Sequence, residues 1–223
     1  MWEEDDLLNA LCTFDDLDFQ VHLHAIGDAA VRQALDAIEA MQRVNPRRDR
    51  RPVIAHAQLI HPDDFARFAR LGVIANYQPL WTYLDPMNKE LILPRLGQER
   101  NNRQYPLRTM LDAGVMISYG SDWPVTSHVP LQALAVPVHR QSPDGYPKEG
   151  WSKQEAITIE ESMTSYTRNV AYQNFNDERL GRLEVGMRAD FLVLRENPLT
   201  SRLHSVRDIA IESLYRNGLP LPL

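Results

Sequence analysis

Cysteine is all but missing: Cys12 stands alone among 223 residues. A disulfide within the chain and a multi-cysteine zinc or iron–sulfur site are therefore excluded. Any metal here must sit on His, Asp or Glu. Long apolar runs are missing too, and none approaches the ~20 residues of a membrane span. Positive charge is in the minority, with 24 Lys and Arg against 30 Asp and Glu and a net charge of −6. An acidic surface repels phosphate, so nucleic acid and anionic membrane are not the expected partners. The N-terminus, Met1-Trp2-Glu3-Glu4-Asp5-Asp6, is acidic where a secretory leader needs Lys or Arg. The expectation is a cytoplasmic protein.

What is present is ordinary globular composition, 43% hydrophobic and 24% charged. At ~150 residues per domain the length suits one full domain and part of a second. Strands and helices alternate. Phe19, Val21 and Leu23 alternate with Gln20, His22 and His24, which predicts a strand over 18–26. Gly27-Asp28 opens a helix whose apolar face is Val31, Ala34, Leu35, Ile38 and Met41, and Asp28 is placed to cap its first turn. Asn45-Pro46 ends it. A second unit follows, with a strand over 52–57, a helix begun by His61-Pro62 and a stop at Gly72. A third strand, 73–77, leads into a long connection, 78–104. A helix over 105–113, closed by Gly114, and a strand over 115–119 complete a fourth unit. Helices are expected over 131–140, kinked by Pro137, and over 155–169. After Leu180 the pattern turns to β, with strands over 190–195 and 209–215 and no helical pattern between them. Arg47-Arg48-Asp49-Arg50-Arg51 reads as a solvated loop.

Three residues share one placement. His24, His56 and Asp122 each lie at the C-terminal end of a predicted parallel strand. In parallel α/β architectures that edge carries the active site, because every strand points its last residues there. Imidazole and carboxylate are the ligands of a hydrolytic divalent ion, zinc above all, when thiolates are missing. Such an ion lowers the pKa of a bound water to ~7, and a nearby carboxylate can take the proton. Each residue alone is also explained by a structural hydrogen bond; it is the repetition that carries weight. His22-Leu23-His24 sets both imidazoles on one strand face, which suits either a ligand pair or one ligand beside a neutral neighbour. Trp81 and Trp123 follow strand ends, so they either line a substrate pocket or pack under a loop. His61 reads as a helix-start residue, and His128, His139 and His204 as surface residues.

At these residues the chain resembles the amidohydrolase superfamily, specifically the amidohydrolase family 3 group that includes the N-substituted formamide deformylases. The resemblance lies in His24-Ala25-Ile26-Gly27-Asp28, His56-Ala57-Gln58, Asn76-Tyr77-Gln78-Pro79 and Gly120-Ser121-Asp122-Trp123-Pro124-Val125. It continues in Gly181-Arg182-Leu183-Glu184-Val185-Gly186-Met187-Arg188-Ala189-Asp190-Phe191-Leu192-Val193-Leu194. The order and spacing match from about Leu8 to Tyr215. The resemblance implies a metal-dependent hydrolase of non-peptide amide or N-formyl bonds, built as a TIM-type (β/α)₈ barrel with a composite β-sandwich. It implies His24 and His56 as metal ligands on the fifth and sixth barrel strands. It implies Asp122 on the eighth, contacting metal or its water and acting as general base. Gly27 and Asp28 then shape a turn.

Two departures follow. The family carries an H-x-H pair on strand one, and His22-Leu23-His24 falls instead on strand five. A whole barrel needs ~250 residues. The chain therefore reads as the C-terminal half of such an enzyme, with a partial barrel over 1–178 and the C-terminal segment of a small β-sandwich over 179–223. Where the family often has Glu before the strand-six histidine, this chain has Ala55. The expected partners are a small-molecule amide and either an N-terminal half or a further copy of the chain covering exposed sheet edges. Weak metal binding and little activity are expected of the chain alone. The alternative is a truncated, non-catalytic product acting as an interaction partner.

Overall fold

The structure, a computed structural model, describes residues 2–223. It divides into two compact units, the chain through Tyr77 with Leu96–Ile117, and Gln78–Arg95 with Ser118–Leu223.

The first unit opens with a helix that the sequence reading did not anticipate, α1 (Glu4–Asp16), whose first turn is acidic. Carboxylates there complement the positive end of the helix dipole. Its buried face is Leu7, Leu11 and Asp15, four residues apart. Strand β1 spans only His22–Ala25, shorter than expected. Phe19 lies outside it, 60% exposed, edge-on to Phe14. Helix α2 (Asp28–Val44) buries Val31, Ala34, Leu35, Ala37, Ile38 and Met41, the expected face, and stops at Asn45. Gly27, not Asp28, is its N-cap residue. Strand β2 (Val53–His56) is followed by a short 3₁₀ turn, Pro62–Asp64, and helix α3 (Phe65–Leu71). His61 caps the turn by accepting the Asp63 N–H, and Gly72 ends α3 at φ +65. Strand β3 (Ile74–Tyr77) comes next.

The connection after β3 is not structureless. It holds a 3₁₀ turn at Pro79–Trp81, a wide π turn at Asn88–Ile92 and α4 (Leu93–Asn101), which kinks at Gly97. Helix α5 (Leu107–Asp112) and strand β4 (Ile117–Tyr119) follow. The strands form one sheet in the order β1-β2-β3-β4, with β1–β2 and β2–β3 parallel. All four side chains of β3, and three of four in β2, are buried. That matches a parallel sheet covered on both faces.

The arginine-rich stretch is solvated only at Arg47 and Asp49. Asp15 is 3% exposed, and Arg50 reaches it at 2.9 Å, Arg48 at 2.7 Å and Asn45 at 2.9 Å. A buried carboxylate must be paired, and its partners here are thirty or more residues away in sequence. A charge run does not reveal such a distant partner.

The second unit is helical and then β. The helix expected over 131–140 is broken into α6 (Pro130–Leu134) and α7 (Val136–His139). Pro137 sits in the first turn of α7, where its missing N–H costs nothing. The next helix starts only at Ile159, behind a Thr158–Glu161 capping box. It is split at Thr167 into α8 (Ile159–Tyr166) and α9 (Arg168–Gln173). Strands β5 (Phe191–Leu194), β6 (Ile211–Arg216) and β7 (Leu219–Leu221) form an antiparallel sheet. The third strand was not expected. Asn217-Gly218, both at positive φ, makes the tight hairpin that admits it. A 3₁₀ segment, Leu203–Asp208, lies between β5 and β6 where no helical pattern was read. Its Val206, with Ile209, packs against Leu134, Ala135 and Ile159.

His204 is exposed as expected, but His139 is buried, and neither stands alone. His139 is 8% exposed and its ring stacks on His204 at 4.6 Å. Its Nδ1 accepts the Gln141 N–H at 3.0 Å. Burial, then the neighbouring His204 and Lys153, pushes its pKa down to about 4. Their spacing in sequence gives no sign of this pairing. Among the described residues no helix is long and apolar enough to cross a membrane.

Candidate active site

Two of the three strand-end residues meet within the first unit. In the β1–β2 register His24 faces Ala55, and Ala25 faces His56. The one-residue offset sets the imidazoles edge to face, 4.5 Å between ring centres. His56 is buried and His24 is exposed. His22 falls on the same strand face as His24. Burial, then the nearby His56, lowers the His22 pKa below the ordinary imidazole value. A lowered pKa favours the neutral form, which is the form that ligates metal.

The backbone beneath this pair is unusual. His56 has φ +73 and Ala57 φ +41. Non-glycine residues there cost on the order of 1–3 kcal/mol and persist where the surroundings hold them. Here the Ala57 N–H donates to the Ala25 carbonyl at 2.9 Å, and the Leu59 N–H to Ile26 at 3.0 Å. The Gln58 carbonyl accepts the Tyr105 N–H at 2.7 Å, and the Gln58 amide donates to Gln104. Gln104 in turn donates to Asn101 at 2.8 Å. This buried amide chain behind His56 was not foreseen; Gln58 beside a strand-end histidine was its only sequence signal. Asp28 accepts the Ala29 N–H at 3.1 Å and pairs with Arg100 at 2.7 Å. It therefore ties the turn after His24 to α4.

Asp122 lies in the second unit, in the loop that follows β4, and has φ +53. Its carbonyl accepts the Val125 N–H at 2.8 Å, closing a turn around a cis Trp123–Pro124 peptide. The Trp123 N–H donates to Ser121 Oγ at 3.2 Å. Thr126 Oγ1 donates to the Ser121 carbonyl at 2.5 Å and accepts from Trp81 Nε1 at 3.3 Å. Trp81 thus packs against the Asp122 loop. Trp123 is 67% exposed and edge-on to His128 at 6.4 Å, so His128 too has a ring neighbour. Sequence reasoning missed Thr126, because nothing in a loop threonine marks a bridge to a tryptophan 45 residues earlier.

The His24–His56 pair has the donor chemistry of a divalent hydrolytic ion. Among the described residues, no group of three or more His, Cys, Asp and Glu side chains stands together as a metal site. The pair fits part of a ligand set.

The model of the Amidohydrolase family matches residues 2–221. This chain belongs to the amidohydrolase family. It is similar to Protein LONG AFTER FAR-RED 3 of Arabidopsis thaliana, 33% identical over 87% of this chain and 33% of that protein. It is similar to N-substituted formamide deformylase of Arthrobacter pascens, 29% identical over 91% of this chain and 36% of that protein. Among solved structures it resembles an uncharacterized metal-dependent hydrolase from Pyrococcus furiosus, with TM-score 0.73 and 28% identity. That match covers 90% of this chain and 38% of the other. The amidohydrolase-family chain thus spans about a third of the length of these curated relatives. Its α/β fold with a parallel sheet resembles amidohydrolase, TIM-barrel-type domains.

Proposed function

We propose that the chain supplies the C-terminal half of a metal-dependent hydrolase acting on a non-peptide amide or N-formyl carbon–nitrogen bond. The carrying observation is the His24–His56 pair at the ends of adjacent parallel strands, in a chain of this family. Two relatives, a formamide deformylase and a metal-dependent hydrolase, support the substrate class and the ion. In this reading β1–β4 are four strands of an eight-stranded barrel, residues 1–178, and 179–223 belong to a β-sandwich completed from elsewhere.

His24 and His56 hold the divalent ion, zinc by the softness of the donor set, and Asp122 is assigned the third position from its motif. When bound, the ion would supply Lewis acidity toward a water and the substrate carbonyl. The Asp122 carboxylate would then be the group that accepts a proton and passes it to the leaving nitrogen. Trp81 and Trp123 supply aromatic surface for the substrate. The acidic surface and lone thiol suit a small-molecule enzyme of the cytoplasm.

A partner is part of the proposal. β1 ends the sheet order, and beside it lies a hollow of about 870 Å³ lined mostly by apolar residues of α1, β1 and α2, with His22 and His24 also on its wall. We assign it to the preceding strand–helix unit of the same fold, on an N-terminal half. The test is amide hydrolysis and zinc content of the 223-residue chain, alone and co-expressed with the N-terminal portion of a longer family member. Metal-dependent turnover of an N-formyl amine by the combined protein, lost in Asp122→Asn, is the expected result. Turnover missing from both, with zinc unbound, favours the non-catalytic interaction partner instead.

A further inference from the structure

We infer that Thr126 is a positioning residue, and that its hydroxyl holds the Asp122 backbone in the conformation its carboxylate works from. The inference rests on the reading of Asp122 as proton acceptor. Asp122 has φ +53, a region that a residue with a side chain seldom occupies unless it is held there. The holding bonds can be followed. The turn bond from Val125 N–H to the Asp122 carbonyl closes the loop on one side. On the other side Thr126 Oγ1 donates to the carbonyl of Ser121, the residue just before Asp122, at 2.5 Å. The loop is therefore clasped by a hydroxyl five residues away, directly across the base of the turn.

The clasp is itself fixed. Trp81 Nε1–H donates to the same Thr126 oxygen at 3.3 Å. A hydroxyl has one hydrogen to give and lone pairs to accept with. With its hydrogen committed to Ser121 and a lone pair to Trp81, Thr126 has both functions in use. Both partners are part-buried, where an unmade bond costs more than at the surface. Trp81 comes from the 3₁₀ turn after β3 and Asp122 from the loop after β4. Thr126 thus joins two strand-end loops of one unit, with the proposed base on one and an aromatic wall on the other. This gives Trp81 a second task beside contacting substrate.

The test uses the 223-residue chain co-expressed with the N-terminal portion of a longer family member, and three variants of it. Thr126→Val keeps the shape and removes both bonds, Thr126→Ser restores the hydroxyl, and Trp81→Phe removes only the indole donor. The first readout is nuclear magnetic resonance of the folded protein, namely the φ-dependent HN–Hα coupling of Asp122 and exchange of the Trp81 indole N–H. Thr126→Val is expected to move the coupling toward the extended range and to speed indole exchange about 10-fold. Thr126→Ser is expected to match wild type in both. The second readout is hydrolysis by the chain completed with its N-terminal half. There Thr126→Val is expected to lower kcat about 10-fold at unchanged KM, with recovery in Thr126→Ser. An unchanged Asp122 coupling in Thr126→Val overturns the positioning role, whatever its activity or thermal stability. Full turnover in Asp122→Asn overturns the reading of the base instead, and leaves the coupling result to judge the clasp. A Thr126→Ser protein that fails to recover the coupling shows that the hydroxyl does not by itself hold the loop, and overturns the inference.

Discussion

A histidine at a strand end is inexpensive to build and informative to remove. His24→Ala and His56→Ala are each expected to weaken zinc binding by more than the ~10–100-fold seen for residues that only support a ligand. Competition against a chromophoric chelator measures it, and undiminished affinity in both variants removes the metal assignment. His139 invites a different test. Its folded-state pKa is lowered to about 4 from the ordinary 6.5, so the unfolded chain takes the proton first as pH falls. Its contribution to stability is whole above about pH 6.5 and is lost progressively down to about pH 4. Urea unfolding across this range should show the decline, and His139→Asn, which offers Gln141 a neutral acceptor, should flatten it. Equal slopes in both proteins would assign the decline to other groups.

Elements here are pinned by a few buried or crowded points. Helix α1 is held through Asp15, where burial works to raise the carboxyl pKa but the Arg50 and Asn45 hydrogen bonds and the Arg50 and Arg48 charges bring it below normal. A carboxylate so lowered stabilises the fold above its ordinary value of 3.8, and that stability is lost as pH falls further. Asp15→Ala leaves the buried Arg50 unpaired and should cost about 3–5 kcal/mol in denaturant unfolding. A loss under about 1 kcal/mol would mean that α1 is not docked through this pair. Near the start of the β region, Gly181 has φ +90, and a Cβ there would lie 2.8 Å from Ala171 Cβ and 2.9 Å from Arg168 Cα. Gly186 has φ +95 with nothing within 4 Å. Gly181→Ala should therefore lower the melting temperature clearly more than Gly186→Ala, the difference being the overpacking cost of ~1–3 kcal/mol. Similar losses would mean that the loop moves aside.

On the scale of the whole molecule, the chain ends its sheet with β1 on one side and β4 on the other, and spans about a third of its curated relatives. Free strand edges are templates for association. Made alone, the chain is expected to self-associate. Co-expressed with the N-terminal portion of a longer family member, it should elute as a defined complex in size-exclusion chromatography with light scattering. A monodisperse 25.6 kDa monomer with metal-dependent turnover would overturn the proposal of a half enzyme.

Local pattern made much of this protein legible. The period of Val31, Ala34, Leu35, Ile38 and Met41 set the buried face of α2, Asn45-Pro46 and Gly72 set the ends of α2 and α3, and alternating strands and helices announced a parallel sheet. The motif residues His24, His56 and Asp122 were visible for the same reason, since strand ends follow from strand patterns. What the sequence did not show depends on pairs far apart in the chain. Asp15 with Arg50, His139 on His204 and Trp81 on Thr126 are joined across 35, 65 and 45 residues. The break at Ala135 follows from Pro137 and was legible, whereas the break at Thr167 was not, since no helix-breaking residue marks it. Periodicity and capping act within a turn or two of the chain. Which buried charge meets which, and which loop clasps which, is decided only when the packed elements bring distant residues into one low-dielectric space where polar groups must find partners.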